Sequence, residues 1–423
     1  MKRAEATGSC PQCGGQVDLN IGDPLLSCSF CRTKLYMVPP SGIFSYFLSP
    51  IDRAQDDAHL CHLPYWRFRG FKFRVHEHQA SDSSLVDVTI PASDMISNLP
   101  PLGVAPQIGT MKLNPLSPPG LRYLIDPKKA LETADANIEA VLKSKPIMEG
   151  IMAENASIIH APFEIVYIKG KASHLRPLWG AKGHIRLNKT HKEAVSIFME
   201  PVSKKRRIRF IPLICPKCGG DLPAYPRATA LLCRFCNMIW PIGDASAFPK
   251  RFVTVEAPAG RDDIFLPFWD FSLYLQNTSL ENRYAFYKQL FPYKEFPKEW
   301  KKRPVQILVP AFKINPSLFF RLSTRMSRLE TNFMLHENKN PGEIPRLHPV
   351  NFTLNEAAYS IRIVLFDLFR NKKRVFDQIR KAAIRIKGSR LLLLPFMRKN
   401  REYVEFHSGQ ALPVPAIEFG TRL

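Results

Sequence analysis

A β-strand with alternating apolar residues is predicted twice in this chain. In the second copy the odd-numbered residues from Trp269 to Leu275 are apolar, and a period of two places them on one face of a strand. In the first copy Trp66 and Phe68 share a face until Gly70 interrupts the alternation, as a β-bulge does. We therefore expect both strands in sheets that have one apolar face.

A helix is predicted at a matching place in each half of the chain. Asp126 followed by Pro127 is a typical helix start, and Thr353 with Glu356 forms a capping box. The apolar residues that follow at helical spacing are Leu131, Ala134, Ile138 and Val141 in the first half, and Leu354, Ala357, Ile361, Leu365 and Leu368 in the second. Such stripes indicate helices that pack on a core.

Short segments recur in the same order in both halves. Residues 63–68 match 266–271, residues 90–92 match 309–311, and residues 161–163 match 394–396. The repeat predicts an α+β protein built by tandem duplication, in which each half is a four-cysteine ribbon followed by a small β-rich domain with one or two helices. The predicted boundaries are 1–40 and 204–245 for the ribbons, and 41–203 and 246–423 for the α+β domains.

The strongest motif is a pair of Cys-x-x-Cys sequences that occurs in each half. Within each copy 14 residues separate the two pairs, and the whole motif repeats at an offset of 205 residues. The predicted metal ligands are Cys10, Cys13, Cys28 and Cys31 in the first copy, and Cys215, Cys218, Cys233 and Cys236 in the second. Two such turns facing each other supply four sulfurs in the tetrahedral geometry of a closed structural zinc site.

Two zinc ions per chain are therefore the predicted cofactors. Iron is the alternative metal, because tetrahedral sulfur ligation suits both ions and Cys-Pro-x-Cys-Gly resembles the rubredoxin knuckle. Rubredoxin knuckles are usually further apart in sequence. Disulfides or reduced thiols are the non-metal alternatives. The chain shows neither a secretory signal nor an apolar run of about 20 residues, so we expect a cytoplasmic protein without a transmembrane segment.

The positive charge is concentrated in two stretches. The net charge is +23, of which residues 169–209 carry +10 and residues 370–401 carry +11. Clustering of this density predicts an anionic partner such as nucleic acid, a lipid surface or an acidic protein, and solubility is the alternative explanation. The predicted polyanion-binding residues in these stretches are Lys204, Lys205, Arg206, Arg207, Arg209, Lys372, Lys373, Arg374, Arg380 and Lys381.

Two further patterns accompany these stretches. Phe376, Ile379, Ala383 and Ile386 alternate with the second set of basic residues, which indicates a basic amphipathic helix near the C-terminus. A possible anion-binding row on the first predicted strand consists of Arg67, Arg69, Lys72 and Arg74, which the bulge places on one outer face. The alternative for that row is an ordinary solvated sheet face.

The ninth cysteine does not suggest a further metal site. Cys61 lies between His59 and His62, but no fourth ligand is evident, and we expect a buried free cysteine. The phosphate-binding, dinucleotide-binding and hydrolase motifs that would indicate an enzyme are missing from the sequence. We therefore expect a non-enzymatic protein.

The ribbons resemble those of transcription factors and RNA polymerase subunits. The ribbon followed by Pro-aromatic-Trp-x-Phe is also similar to the motif of a loosely defined group of bacterial zinc-ribbon proteins. In this chain the resemblance rests on residues 10–31 with 64–68 and on residues 215–236 with 267–271. Some members of that group are associated with membrane-stress proteins of the phage-shock type. Members of the group often carry transmembrane segments, and this chain differs from them because we expect no such segment in its sequence.

These observations leave three hypotheses for the function. The first is a zinc-binding interaction protein that holds a polyanion, above all nucleic acid, through its basic stretches. The second is an adaptor or scaffold subunit of a protein assembly, including one at an anionic membrane surface, with the ribbons as docking platforms. The third is an iron-loaded redox protein or an enzyme with structural ribbons.

Overall fold

The structure is a computed structural model. It describes residues 8–17, 25–38, 45–51, 59–75, 82–102, 111–114, 123–127, 129–130, 148–199, 209–225, 228–242, 250–256, 263–328, 337–338 and 346–418. The chain divides into two compact units. The first comprises Met1–Gly70, Val86–Lys143 and Ala153–Leu213, and the second comprises Phe71–Leu85, Ser144–Met152 and Ile214–Leu423.

The first half of the chain is mostly β-strand. Its strands are β1 (Gly8–Ser9), β2 (Gln16–Val17), β3 (Leu25–Ser27), β4 (Lys34–Val38), β5 (Ser45–Leu48), β6 (Leu60–Val75), β7 (Asp82–Pro91), β8 (Met111–Asn114), β9 (Met148–Ile168), β10 (Lys171–Pro177) and β11 (Ile185–Arg186). Helix α1 (Lys189–Met199) follows the last of these strands.

The second half has more helix. Its strands are β12 (Arg209–Pro212), β13 (Ala230–Leu232), β14 (Ile239–Pro241), β15 (Phe252–Val255), β16 (Ile264–Gln276), β17 (Val305–Pro310), β18 (Glu337–Asn338), β19 (Ala383–Lys399), β20 (Glu402–Glu405) and β21 (Ala411–Pro413). Its helices are α2 (Arg283–Leu290), a 3₁₀ helix (Lys298–Lys302), α3 (Pro316–Arg328), α4 (Leu354–Leu368), α5 (Lys372–Lys381) and α6 (Val414–Glu418).

Within the described ranges, each half contains a mixed seven-stranded sheet with the same connections. In the first sheet β9 pairs with β5, β6 and β10, and β6 pairs also with β7. In the second sheet β19 pairs with β15, β16 and β20, and β16 pairs also with β17. The pairings of β5 with β9 and of β15 with β19 are both parallel. The α+β tandem duplication predicted from the sequence is therefore confirmed.

Equivalent tryptophans anchor the two domains. The indole N–H of Trp66 donates to the carbonyl oxygen of Ile125 at 3.0 Å, and that of Trp269 donates to the carbonyl oxygen of Phe352 at 2.9 Å. Both side chains are buried. Each acceptor comes directly before a helix start, so the two bonds occupy the same place in the repeated fold, as the sequence repeat predicts.

The two predicted helix starts are present. The Thr353 hydroxyl accepts the backbone N–H of Glu356 and the Glu356 carboxylate accepts the N–H of Thr353, which confirms the capping box of α4. In the first half the N–H of Ala130 donates to the carbonyl of Asp126 at 2.9 Å. The predicted stripe from Leu131 onward lies outside the described residues.

The predicted basic helix near the C-terminus is shorter than its apolar pattern suggests. Helix α5 ends at Lys381 and β19 begins at Ala383, so the prediction is wrong for Ala383 and Ile386. Both lie on β19, where they pair with Gln276 and Leu273 of β16. Pairing with a distant strand decides the conformation here, and local periodicity does not detect it.

Strand β16 is buried on both faces over most of its length. Residues 264–271 are all buried, and alternation between buried and half-buried residues begins only after them. Asp270, which the alternation predicts on the polar face, is buried and accepts the Arg390 guanidinium at 2.7 Å. The prediction of one polar face therefore holds only for the last residues of the strand.

Candidate metal centres

Four cysteine sulfurs come together in each half of the chain. The four Sγ atoms of each group lie within 4.8 Å of one another. The Sγ atoms are 3.7 Å apart in both the Cys10–Cys31 and the Cys13–Cys28 pair. Disulfide sulfurs would be about 2.05 Å apart, whereas sulfurs about 2.3 Å from one ion form tetrahedron edges of about 3.8 Å. Each group can therefore hold one metal ion.

The second group has nearly the same dimensions. Its sulfurs are separated by 3.6 Å for Cys215–Cys236 and by 3.4 Å for Cys218–Cys233. All the cysteines are free thiols in the structure. The eight predicted ligands are thus divided into the two sets of four that the spacing predicts.

A tight backbone turn presents the sulfurs of the first knuckle. The N–H of Gly14 donates to the carbonyl of Cys10, and the N–H of Cys10 donates to the carbonyl of Gly15, both at 2.8 Å. Gly14 has φ of 73°, a conformation that favours glycine. Gly219 has the same conformation, with φ of 73°, and donates its N–H to the carbonyl oxygen of Cys215 at 2.9 Å.

The other knuckle of each group uses a non-glycine residue at the same point of the turn. Arg32 has φ of 58° and donates its N–H to Cys28 at 2.9 Å. Asn237, 205 residues later, has φ of 59° and donates its N–H to Cys233 at 3.1 Å. The duplication therefore extends to the backbone of every knuckle.

The second glycine of each Gly-Gly pair makes room for an aromatic ring. A Cβ atom at Gly15 would lie 2.5 Å from the ring of Phe30, and one at Gly220 would lie 2.4 Å from the ring of Phe235. Both rings remain exposed to solvent, Phe30 by 70% and Phe235 by 53%. Each ribbon thus carries an outward-facing phenyl ring on its knuckles.

The surroundings of the sulfurs favour the thiolate form at one cysteine of each group. The Thr33 hydroxyl lies 3.1 Å from Cys31 Sγ and, with the Thr33 backbone, lowers the pKa of Cys31 to about 6. Burial raises the pKa of Cys215, but bonds from the Cys218 and Lys217 backbone outweigh it and lower the pKa to about 6. Thiolates are the metal-binding form of cysteine.

The predicted row of basic residues on β6 is not a solvated face. Arg67 and Lys72 are buried, and Arg69 and Arg74 are half-buried. The Arg67 guanidinium donates to both carboxylate oxygens of Asp87, at 2.7 and 2.6 Å. The expectation of an exposed outer face is therefore wrong for Arg67 and Lys72, and anion binding by the row stays a prediction.

The structure describes more residues of the second basic stretch than of the first. Residues 204–207, which include Lys204, Lys205, Arg206 and Arg207, lie outside the described residues, whereas Arg209 is exposed on β12. In the second stretch Lys372 is buried and paired with Asp367 at 2.7 Å. The exposed basic residues of α5 are Lys373, Arg374, Arg380 and Lys381, and the Arg380 guanidinium lies 3.5 Å from the carboxylate of Asp377, which is exposed as well.

A further basic segment was not predicted from the charge distribution. Lys301, Lys302 and Arg303, at the end of the 3₁₀ helix, are all exposed. They lie outside the two basic stretches, and Glu295 and Glu299 nearby in sequence lower the local net charge. The three consecutive basic residues before Pro304 are the signal that could have identified the segment.

The ninth cysteine is a buried core residue, as expected. Burial raises the pKa of Cys61 to about 12, and the thiol belongs to neither metal-ligand group of the described residues. His62 packs its ring against Phe47, with 5.0 Å between the ring centroids. His59 packs similarly against Tyr167 at 4.6 Å.

Among the helices that the structure describes, none has both the length and the apolar character needed to cross a lipid bilayer. Comparison with known proteins gives no match to any family model, curated protein or solved structure. Functional inference for this chain therefore depends on the cysteine groups and on the distribution of charge.

Proposed function

We propose that each four-cysteine group holds one structural zinc ion. All four donors are sulfur, and the separations of 3.4 to 3.7 Å between two sulfur pairs of each group fit the edges of a tetrahedral thiolate site. Four protein ligands leave no open position for water or substrate, so the ions stabilise the ribbons and do not react. Iron accepts the same donors and geometry and is the alternative metal.

We propose further that the protein is a non-enzymatic interaction protein whose partner is nucleic acid. The observation that carries this proposal is the exposed cationic surface of α5, on which Lys373, Arg374, Arg380 and Lys381 are exposed. Residues 370–401 have a net charge of +11. Crowding of like charges is unfavourable unless an anion neutralises it, and a phosphate backbone supplies such an anion at regular spacing.

Two cations of this stretch are held by carboxylates within the fold, whereas the pair of Arg380 with Asp377 at 3.5 Å lies exposed to solvent. Lys372 is paired with Asp367 at 2.7 Å, and Arg390 is paired with Asp270 at 2.7 Å, both with little exposure to solvent. Each of these two cations already has a carboxylate partner inside the fold. We therefore assign nucleic-acid binding to the exposed residues of α5 and not to these two.

Binding of labelled single-stranded and duplex oligonucleotides across a salt series tests the proposal. Replacing Lys373, Arg374, Arg380 and Lys381 with Gln should weaken binding and flatten the dependence of log K on log salt, since each lost phosphate contact removes about 0.7 to 0.9 from the slope. The same change at Lys204, Lys205, Arg206 and Arg207 should act similarly. A wild-type protein that binds no nucleic acid at physiological salt would refute the function.

A second candidate function is protein docking through the ribbons. It is favoured by the equivalent exposed rings of Phe30 and Phe235, because exposed aromatic side chains are frequent anchors of protein interfaces. An adaptor of this kind should retain its partners in a pull-down after nuclease treatment. Those partners should be lost when both phenylalanines are replaced by serine, whereas the α5 variant should keep them.

A further inference from the structure

Three elements of the second unit meet at the ends of β16 and β19. Tyr274 of β16 lies directly opposite Arg385 of β19, and opposite residues of an antiparallel pair share one face of the sheet. The Tyr274 hydroxyl donates to the carbonyl oxygen of Lys302 at 3.2 Å. Tyr274 therefore brings the end of the 3₁₀ helix next to the exposed guanidinium-bearing residue Arg385.

A bulge adds another cation at this place. The pairing of β16 with β19 shifts between Ser272 and Leu273, so that Lys387 has no opposite residue in the ladder. A residue in such a position leaves the regular hydrogen bonding of the strands. Lys387 is exposed and is two residues from Arg385.

The resulting surface, which we call the Tyr274 patch, combines two segments that are far apart in sequence. Its cations are Lys301, Lys302, Arg303, Arg385 and Lys387, and all five are exposed. Within the part of the chain that the structure describes, no ion pair involves any of the five. Five exposed cations that form no ion pair with the described carboxylates make a strongly positive surface.

The patch borders the basic end of α5. The Ser279 hydroxyl donates to the side-chain oxygen of Gln378 at 2.5 Å, which holds the turn after β16 against α5. The carbonyl oxygens at the C-terminus of α5 would repel a phosphate. The Arg362 guanidinium covers them, donating to Arg380 at 3.0 Å and to Ala382 at 3.1 Å.

We propose that the Tyr274 patch binds the phosphate backbone of a nucleic acid and continues the cationic surface of α5. The inference rests on the proposed function and names a site for it that includes cations outside both basic stretches. Phosphodiester groups at regular intervals match a row of separate exposed cations, and Lys and Arg are the residues that neutralise them. Tyr274 acts as a positioning residue, because its hydroxyl holds the Lys302 backbone.

The test compares two triple variants of the full chain that remove equal charge. The patch variant is Lys301→Gln, Lys302→Gln and Arg303→Gln. The control variant is Arg321→Gln, Arg325→Gln and Lys399→Gln, which removes three exposed cations of the same unit, one of them at the opposite end of β19. Binding of a fluorescent single-stranded oligonucleotide is measured by anisotropy over a salt series, and melting temperatures are recorded for both variants.

We expect the patch variant to lower the magnitude of the salt slope by roughly two, which is about three phosphate contacts at about 0.7 each. Its affinity should fall at least tenfold at low salt, while the control variant stays within about twofold of wild type. Tyr274→Phe, which removes only the hydroxyl, should weaken binding less than the triple variant.

Two results would overturn the inference and leave the proposed function intact. One is a patch variant that binds like wild type while the α5 variant loses binding. The other is equal weakening by the patch and control variants, which would indicate general charge attraction. If wild type binds phosphatidylserine vesicles but neither single-stranded nor duplex oligonucleotides, the proposed function fails and the inference fails with it.

Discussion

The two ribbons have the same knuckles but pack against different amounts of protein. The first forms a separate small core, whose buried members are Cys10, Val17, Cys28, Leu35, Met37 and Phe210. In the second ribbon Ala230, Leu232 and Ile239 belong to the main core of the second unit, together with Trp269. The same metal motif can therefore stabilise either a small local sheet or part of the main core of a domain.

Backbone hydrogen bonds show the same difference. In the second ribbon Thr229 donates to Val350 at 2.8 Å and Ile239 donates to Lys250 at 3.0 Å, so its strands are bonded to the domain that follows. In the first ribbon β4 pairs with β12, and the N–H of Leu213 donates to Lys34 at 2.9 Å. The first ribbon thus completes a three-stranded sheet with a later segment of the chain.

Loss of a metal ligand should give the largest effect and should differ between the ribbons. Cys218→Ser should release the second ion and open the main core of the second unit, because that core includes the ribbon. Cys13→Ser should release the first ion and unfold mainly 8–17, 25–38 and 209–212. Structural zinc binding contributes about 10–16 kcal/mol in zinc-finger peptides, enough to exceed the stability of a small domain. Metal analysis with hydrogen exchange, resolved along the chain, measures both outcomes.

Equal effects of the two cysteine variants on their own domains would contradict this difference between the ribbons. If Cys13→Ser removed protection from the first β-domain as widely as Cys218→Ser does from the second, the first ribbon would be an integral part of its domain core. Leu25→Ser, which changes a half-buried residue of the first ribbon without removing a ligand, is a suitable control for local disruption.

The equivalent tryptophans should have large and unequal effects. Replacing Trp66 or Trp269 with Ala should cost roughly 3–5 kcal/mol of unfolding free energy. Trp269 lies in the larger core and should be near the upper end, whereas Trp66 packs in a smaller cluster with Phe68 and Ala92. Chemical denaturation followed by fluorescence measures the loss. A cost below about 1 kcal/mol at either site would contradict the assignment of both as anchors.

Acidification should destabilise the first domain more than the second. His62 and His160 occupy the positions that Phe265 and Leu393 occupy in the second half. Burial lowers the pKa of His62 to about 4, and burial together with the His62 charge lowers the pKa of His160 to about 3. In the second half burial lowers the pKa of His348 to about 4, and it is the one such histidine among the residues that the structure describes there.

The direction of the change in stability with pH follows from proton binding to these histidines. Below about pH 6.5 the unfolded chain binds protons at these histidines that the folded chain does not bind until near pH 4, so stability falls with pH in this window. The loss is about 1.4 kcal/mol per pH unit for each histidine. Hydrogen exchange in β9 between pH 7 and pH 5 should show it. His160→Leu should reduce the pH dependence of the first domain, and an unchanged dependence would contradict the assignment.

The smallest predicted effects should be equal in the two ribbons. Gly14 and Gly219 both have φ of 73°, and a Cβ atom would meet nothing within 4 Å at either position. Each replacement by Ala should therefore cost only the conformational penalty of about 1–2 kcal/mol. Thermal unfolding of the two variants measures it. Clearly unequal costs would mean that the two knuckles differ in ways their geometry does not reveal.

Features with local causes were predictable from the sequence. The cysteine spacing predicts both ligand groups because a Cys-x-x-Cys turn is a local structure, and Gly14 already indicates its conformation. The capping box of Thr353 and Glu356 is also local, and the segments around Trp66 and Trp269 identify the duplication because they repeat in order. These are the elements that the structure confirms.

Features with non-local causes were not predictable in this way. Ala383 and Ile386 continue a helical pattern, yet their pairing with β16 makes them part of a strand. Arg67 follows a polar alternation, yet Asp87 on another strand holds it inside the fold. The convergence of Lys302 with Arg385 also depends on tertiary structure, since the two residues come from separate elements joined through Tyr274.

X-ray absorption at the metal edge of the purified chain tests most directly whether the two halves hold equivalent structural zinc sites. We predict two zinc ions per chain, each with four sulfur neighbours at about 2.3 Å and no oxygen or nitrogen neighbour. One ion per chain after Cys13→Ser, with an unchanged sulfur shell, would assign the two sites to the two ribbons. Bound iron, fewer than two ions in wild type, or a shell containing lighter ligands would contradict the account.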